Sequence, residues 1–263
     1  MDAIHVWKGV LTIQMRESCW GNTDKQGKEI AYMDNLTVEF FHDVICSFCF
    51  PMSYRMRRLQ EMIPEVKIVH RSFALVKAEE DFDFMFESRA AAKEEILGHW
   101  VQANQNDDLH RFNIDGMRQA DFPFPTSMKA LTACKAAFFA GGDAEYWKVF
   151  DALQNALFVQ NRDIGAQDVI EAVVRETQID FDLWKRHYND IKTKDAVEKD
   201  LHLAEGYGIH SVPCLIINGK YRVSGAQSLP QIIRALKAAA EETQASPPAG
   251  ASCRLDGGKM ECD

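Results

Sequence analysis

Two cysteines separated by two residues, Cys46-Ser47-Phe48-Cys49, stand where a β-rich run gives way to a helical pattern. The run from Leu36 to Phe41 (LTVEFF) is short and rich in strand formers, as in a strand buried on both faces. From Cys49 to Ile63, the apolar residues Met52, Met56, Leu59 and Ile63 recur at helical spacing, with Arg55, Arg57 and Arg58 projecting elsewhere. Pro51 falls in the first turn, where its missing N–H costs little, and Pro64 stops the helix. Val66 to His70 then alternates as a second strand. Strand, helix, strand with a close cysteine pair at the helix entrance leaves few architectures open.

The pattern becomes helical from Glu79 to Asp190. Ser127 is placed to cap a helix carrying Leu131, Cys134 and Phe138 that closes at Gly141-Gly142. Asp143 opens the next, with Trp147, Phe150, Leu153 and Leu157 on one side, and 167–177 and 181–189 read as two more. The segment DFPFPT (121–126) is extended, because its two prolines are incompatible with a helix interior. A helix over 193–206 aligns Val197, Leu201 and Ala204. The apolar run 211–217 then meets Asn218-Gly219 and a second run, 220–223, a strong hairpin signal. A final helix turns Leu229, Ile232, Ile233 and Leu236 inward, and the small, polar tail reads as mobile.

This order predicts an α/β fold, a thioredoxin-like core with a large inserted all-helical domain. The core is expected at 34–78 and 191–242, the insertion at 79–190 and a flexible tail at 243–263. Residues 1–33 read as an N-terminal extension. Lys28-Glu29 is encodable as a ribosome-binding sequence three codons before Met33, which makes Met33 a candidate natural start. The competing reading is a β-hairpin arm built on Ile4, Val6, Val10, Thr12 and Ile13.

A net charge of −9 argues against a general binder of nucleic acid or anionic membranes, which needs a basic face. No apolar run approaches the length of a membrane span, and the first 35 residues do not resemble a secretory leader. The expectation is a cytoplasmic protein. In that setting the seven cysteines do not read as a structural disulfide framework, so a close pair points to redox or metal chemistry.

Disulfide exchange needs an attacking thiolate and a second sulfur near enough to resolve the mixed disulfide. A helix N-terminus supplies free N–H groups and the positive end of the helix dipole, and such sites lower a thiol pKa to roughly 3.5–7.5. Cys46 is the candidate nucleophile and Cys49 the resolving thiol. Half of a zinc site is the alternative, but it requires two more ligands, and Cys253 and Cys262 lie far off in the tail. No metal is expected. A second signal is Val212-Pro213 before an apolar strand, where a cis proline would keep the backbone extended and leave Val212 free to pair with a substrate strand.

These pieces, with EFFHDVICSFCF (39–50), HRSFAL (70–75), FPFPTS (122–127), LFVQNRDI (157–164) and GIHSVPCLIINGKYRVSGAQ (208–227), resemble the DsbA superfamily and, within it, the cytosolic FrnE-like branch. The resemblance implies a thiol–disulfide oxidoreductase or isomerase. It would act on protein or small-molecule thiols and disulfides, without metal or organic cofactor and with glutathione as a conceivable co-substrate. It implies catalytic roles for Cys46, Cys49 and Pro213, and substrate contacts at Val212, Ser47 and Phe48. The family commonly has Pro and an aromatic between its cysteines, and DsbA proper has a His there; Phe48 cannot donate its hydrogen bond, so a less oxidising couple is expected.

Glu39 resembles the acid beneath the disulfide in related enzymes, although the loop to Cys46 is one residue longer than in DsbA proper; the alternative is a solvated acid at a sheet edge. Asp43 and His210 are further candidates for tuning the sulfurs, with His42 nearby. Cys214 reads as a buried small hydrophobe. Phe48, Phe50, Phe82, Phe84, Phe86, Phe122 and Phe124 are either core or the lining of an apolar groove. Cys253 and Cys262 are a candidate second dithiol. The alternative function is a glutathione-dependent transferase or isomerase of the kappa or 2-hydroxychromene-2-carboxylate isomerase type, which needs no resolving cysteine. A non-catalytic chaperone or metal-binding module is a third reading. The natural substrate, redox direction and oligomeric state are not legible.

Overall fold

The computed structural model describes residues 36–86, 88–245, 253–256 and 259–262. The readings of residues 1–32 and of Met33 as a start lie outside them. Strand β1 (Thr37–His42) leads into helix α1 (Cys49–Met62), and β2 (Lys67–Ser72) returns parallel to β1. Eight helices follow: α2 (Glu80–Met85), α3 (Arg89–Asn106), α4 (Ile114–Gln119), α5 (Met128–Gly141), α6 (Asp143–Phe158), α7 (Gln167–Glu176), α8 (Phe181–Tyr188) and α9 (Ile191–Gly206). The hairpin β3 (Cys214–Ile217) and β4 (Tyr221–Ser224) and helix α10 (Leu229–Ala245) complete the core. The sheet order is β2-β1-β3-β4, with β3 antiparallel to both neighbours. This is the thioredoxin-like arrangement with helices inserted between its two halves.

Strand alternation sends β1 to two different environments. Val38 and Phe40 join Ile68, Met52, Met56, Leu59, Ile232 and Leu236 in the main core, and the same cluster runs on into Trp147, Phe150 and Leu157 of α6. The buried His42 ring packs against Phe40 and Phe150. The inserted helices therefore share a core with the sheet. On the other face Phe41, Cys214 and Ile216 meet Ala204 and Ile209 beneath α9. Cys214 is buried there, as its alternation predicts. Asn218 and Gly219 both take positive φ, 51° and 68°, as a two-residue hairpin turn requires.

Several local expectations change. Arg55, off the apolar stripe of α1, is nonetheless buried, at 4% exposed. Its guanidinium donates to Asp108 Oδ2 (2.9 Å) and Oδ1 (3.1 Å), Asn106 Oδ1 (2.9 Å), the Asn106 carbonyl, and the Ala226 and Gln227 carbonyls (3.2 Å each). Arginine spacing alone could not reveal carbonyls brought in from two distant segments. Phe138 is 41% exposed, because α5 turns Ala133, Cys134 and Ala137 to the core instead. Within the tail, β5 (Cys253–Asp256) and β6 (Lys259–Cys262) form a separate antiparallel hairpin.

Ser127 stands at the N-cap of α5 but makes no capping hydrogen bond. Its hydroxyl instead donates to Asp43 Oδ2 (2.6 Å) and accepts from the Val76 N–H (3.1 Å), fully buried. Ser127→Ala is expected to destabilise the chain by about 1–3 kcal/mol, since it leaves a buried donor and a buried carboxyl short of a partner. Chemical denaturation would measure this, and a loss below a few tenths of a kcal/mol would contradict the assignment.

Candidate active site

The site is built where β1 ends. After His42 the chain turns twice before α1 begins. Cys49 N–H donates to the Cys46 carbonyl (3.1 Å), and Phe50 N–H to the Ser47 carbonyl (3.2 Å). The same Cys49 amide nitrogen lies 3.3 Å from Cys46 Sγ, so this first-turn N–H is shared between the Cys46 carbonyl and the sulfur. Cys46 Sγ also lies 3.5 Å from the Val212 carbonyl. The Val212–Pro213 peptide bond is cis. Thus Cys46, Cys49, Val212 and Pro213, far apart in the chain, converge. Ser47 and Phe48 form the turn between the sulfurs and are partly exposed.

The two thiols differ in surroundings, and both are free. Cys46 retains 5% exposure and Cys49 none. Burial, then the hydrogen bond to and charge of Cys46, push the Cys49 thiol well above its ordinary value; a backbone hydrogen bond from Asp43 partly counters this. Cys49 is therefore held as the protonated partner.

Asp43 is the carboxyl built into this loop. It is fully buried and accepts from Ile45 N–H (3.3 Å), Leu75 N–H (2.8 Å) and the Ser127 hydroxyl. Burial pushes its pKa up from 3.8 to about 6, against the pull of those hydrogen bonds. Glu39 sits elsewhere. It lies on an interior strand, not a sheet edge, and is 8% exposed. Its carboxylate pairs with Arg71 (2.6 Å) and accepts from the Tyr207 hydroxyl (2.8 Å). Both partners belong to the α9 face, to which strand alternation turns residue 39. Asp43, in the loop between β1 and Cys46, is the acid whose backbone bonds to Cys49.

His42 and His70 form a buried pair, Nε2 to Nδ1 at 3.2 Å, with the Tyr146 hydroxyl 3.3 Å from His42 Nε2. Burial pushes both histidines well below their ordinary value, so they are held neutral. Titration of these groups has opposite signs. The folded chain holds the Asp43 proton more tightly than the unfolded chain, so that stabilisation is present at low pH and lost as pH rises from about 4 to about 6. The histidines resist protonation in the fold, so their contribution is lost as pH falls below about 6.5. Asp43→Asn removes only the first, so stability should climb more steeply with pH between about 4 and 6 than in the parent. Denaturation midpoints across that range test it, and parallel curves would contradict it.

His210 is exposed on the rim of a cleft of about 330 Å3, lined by Phe73, Ala74, Lys77, Leu201 and Ile209, beside Val212. Of the seven phenylalanines considered for a groove, Phe50, Phe82 and Phe124 are core. Phe48, Phe86 and Phe122 pack partly against it, and Phe84 is 95% exposed. Cys253 and Cys262 lie in the separate hairpin. Among the described residues, no group of three or more His, Cys, Asp or Glu side chains is arranged to hold a metal ion, and no helix is long and apolar enough to cross a membrane. The sequence reading missed Ser127 as an active-site partner; its position at the end of the FPFPTS segment was the available signal.

Comparison with curated proteins gives no match. Among solved structures, the chain is similar to the probable DsbA oxidoreductase of Streptomyces coelicolor, with 20% identity and a TM-score of 0.59 over 87% of this chain and 99% of that one. It is also similar to the cytosolic disulfide reductase DsbM of Pseudomonas aeruginosa, with 13% identity and a TM-score of 0.60 over 80% and 98%. A third, a 2-hydroxychromene-2-carboxylate isomerase, has 13% identity and a TM-score of 0.55 over 80% and 100%. At these identities the likeness is one of fold. A family model described as a DSBA-like thioredoxin domain matches residues 37–237, and the chain belongs to that family.

Proposed function

We propose that this protein is a thiol–disulfide oxidoreductase in which Cys46 attacks a partner disulfide and Cys49 resolves the mixed disulfide. The observation that carries the reading is the Cys49 N–H facing Cys46 Sγ at 3.3 Å, with the Cys49 thiol fully buried behind it. The N–H stabilises a sulfur anion at position 46, where a partner can approach. Attack forms the Cys46–partner bond and releases the partner's other sulfur as a thiol. Cys49 then loses its proton and displaces the partner sulfur, leaving a Cys46–Cys49 disulfide and a second partner thiol. Asp43, with a pKa of about 6 and a backbone hydrogen bond to Cys49, is suited to take that proton. Val212, ahead of Pro213, offers its backbone to an extended partner strand.

Partners are protein or small thiols and disulfides in a cytoplasmic setting. The DsbM relative has been solved with GSH, which supports glutathione as one small partner. No metal or organic cofactor enters this chemistry. The fold shared with the chromene-carboxylate isomerase supports a second reading, a glutathione-dependent transferase or isomerase. A single sulfur would serve that reaction, whereas here Cys49 is held directly against Cys46. The test is reduction of a model protein disulfide by the reduced chain, regenerated with glutathione. Turnover that needs both cysteines supports exchange. Glutathione-dependent isomerisation that survives loss of Cys49, without disulfide turnover, contradicts it.

A further inference from the structure

Strands β5 and β6 pair with Cys253 opposite Cys262 and Asp256 opposite Lys259. Only Gly257 and Gly258 separate them in the sequence, and Gly-Gly is a favoured pair for a two-residue hairpin loop. In such a hairpin the residues flanking the turn make a hydrogen-bonded pair, and pair types alternate outward. Counting from Asp256 and Lys259 makes Cys253 and Cys262 a pair without mutual backbone hydrogen bonds. Residues in such pairs have Cα atoms about 4.5 Å apart, inside the range of about 4.4–6.8 Å that a disulfide spans. The sequence independently favours this register. It sets Arg254 opposite Glu261 and Asp256 opposite Lys259, two opposite-charge pairs, and a shift of one residue would lose both.

We propose that Cys253 and Cys262 are a second dithiol–disulfide couple, closed as a cross-strand disulfide that clips the C-terminal hairpin. The oxidant is a small-molecule disulfide of the glutathione class. One cysteine thiolate attacks it, releasing one small thiol and forming a mixed disulfide. The other cysteine then displaces the second small thiol. The chain loses two hydrogens and the small disulfide gains them. Because the hairpin already pairs the two positions, little chain entropy is left to lose on closure.

The full chain and its Cys46→Ser/Cys49→Ser variant are equilibrated with oxidised glutathione, alkylated and digested with trypsin without reduction. Trypsin cuts after Arg254 and Lys259, so the clipped hairpin yields the peptide ending in Cys253-Arg254 bonded to Met260–Asp263. The expected result is this linked pair as the main form of both peptides, in both chains, at monomer mass and lost on reduction. Cys253→Ser should leave Cys262 as a glutathione adduct or an alkylated thiol. Peptides carrying only adducts or alkyl groups, bonded to other cysteines, or joined across two chains would overturn the proposal. Because the double variant lacks the Cys46–Cys49 pair, that outcome would leave the active-site reading untouched.

Discussion

Replacing Cys46 with Ser is expected to cut exchange with a model disulfide by on the order of a thousandfold or more, because a hydroxyl cannot supply the anion that a thiol supplies at neutral pH. Replacing Cys49 with Ala should give a different failure. Attack still proceeds, but the chain stops as a mixed disulfide through Cys46. Nothing else among the described sulfurs is positioned to resolve it: Cys134 lies in α5, and Cys214 faces the α9 side of the sheet. Both outcomes follow from the asymmetry of the pair, with Cys46 keeping slight exposure and Cys49 fully buried and held protonated. Stopped-flow rates would read the first, and intact mass with a peptide thiol the second. Full activity in Cys46→Ser, or adducts trapped at Cys49 in that variant, would reverse the roles.

The second large effect is on stability. Arg55→Ala is expected to cost about 3 kcal/mol, because removing a buried guanidinium leaves several acceptors without their donor. The Asp108 pairing is a minor part, since that carboxylate is 48% exposed. The cost lies in the Asn106, Ala226 and Gln227 carbonyls, which belong to the insertion and to the approach to α10. Arg55 ties both to the helix that carries Cys49. Arg55→Lys should recover little of the loss, because an ammonium cannot reproduce the planar fork. A denaturation midpoint within experimental error of the parent would show that the network adds nothing.

Most of the fold was legible because period and punctuation agreed. Met52, Met56 and Leu59 declared a helix face, Pro51 and Pro64 its bounds, and Asn218-Gly219 the hairpin. Cys46, Cys49 and Pro213 were legible for the same reason: each sits at a junction between patterns. What the sequence hid are partners that depend on tertiary approach. Ser127 looks like a cap in one dimension, but its hydroxyl oxygen accepts from the Val76 N–H instead of a helix amide, and its proton goes to Asp43. Glu39 could be aligned with a catalytic acid by position along the strand, but its pairing with Arg71 and Tyr207 depends on residues from β2 and the end of α9 that the strand alone does not reveal. Arg55 lies off the apolar stripe of its helix, and its burial is not legible until the carbonyls around it are known. The hairpin at Cys253–Cys262 was masked by the small, polar composition around it, although Gly257-Gly258 between alternating residues carried its turn signal.

The most direct measurement is a redox titration of the full chain in glutathione buffers, quenched and followed residue by residue through alkylation at positions 46 and 49. If the two sulfurs are one attacking and resolving couple, both labels disappear together along a two-electron curve, and the peptide containing them becomes two hydrogens lighter. Cysteines that lose their labels at different potentials, or remain separately labelled at every poise, would contradict the account.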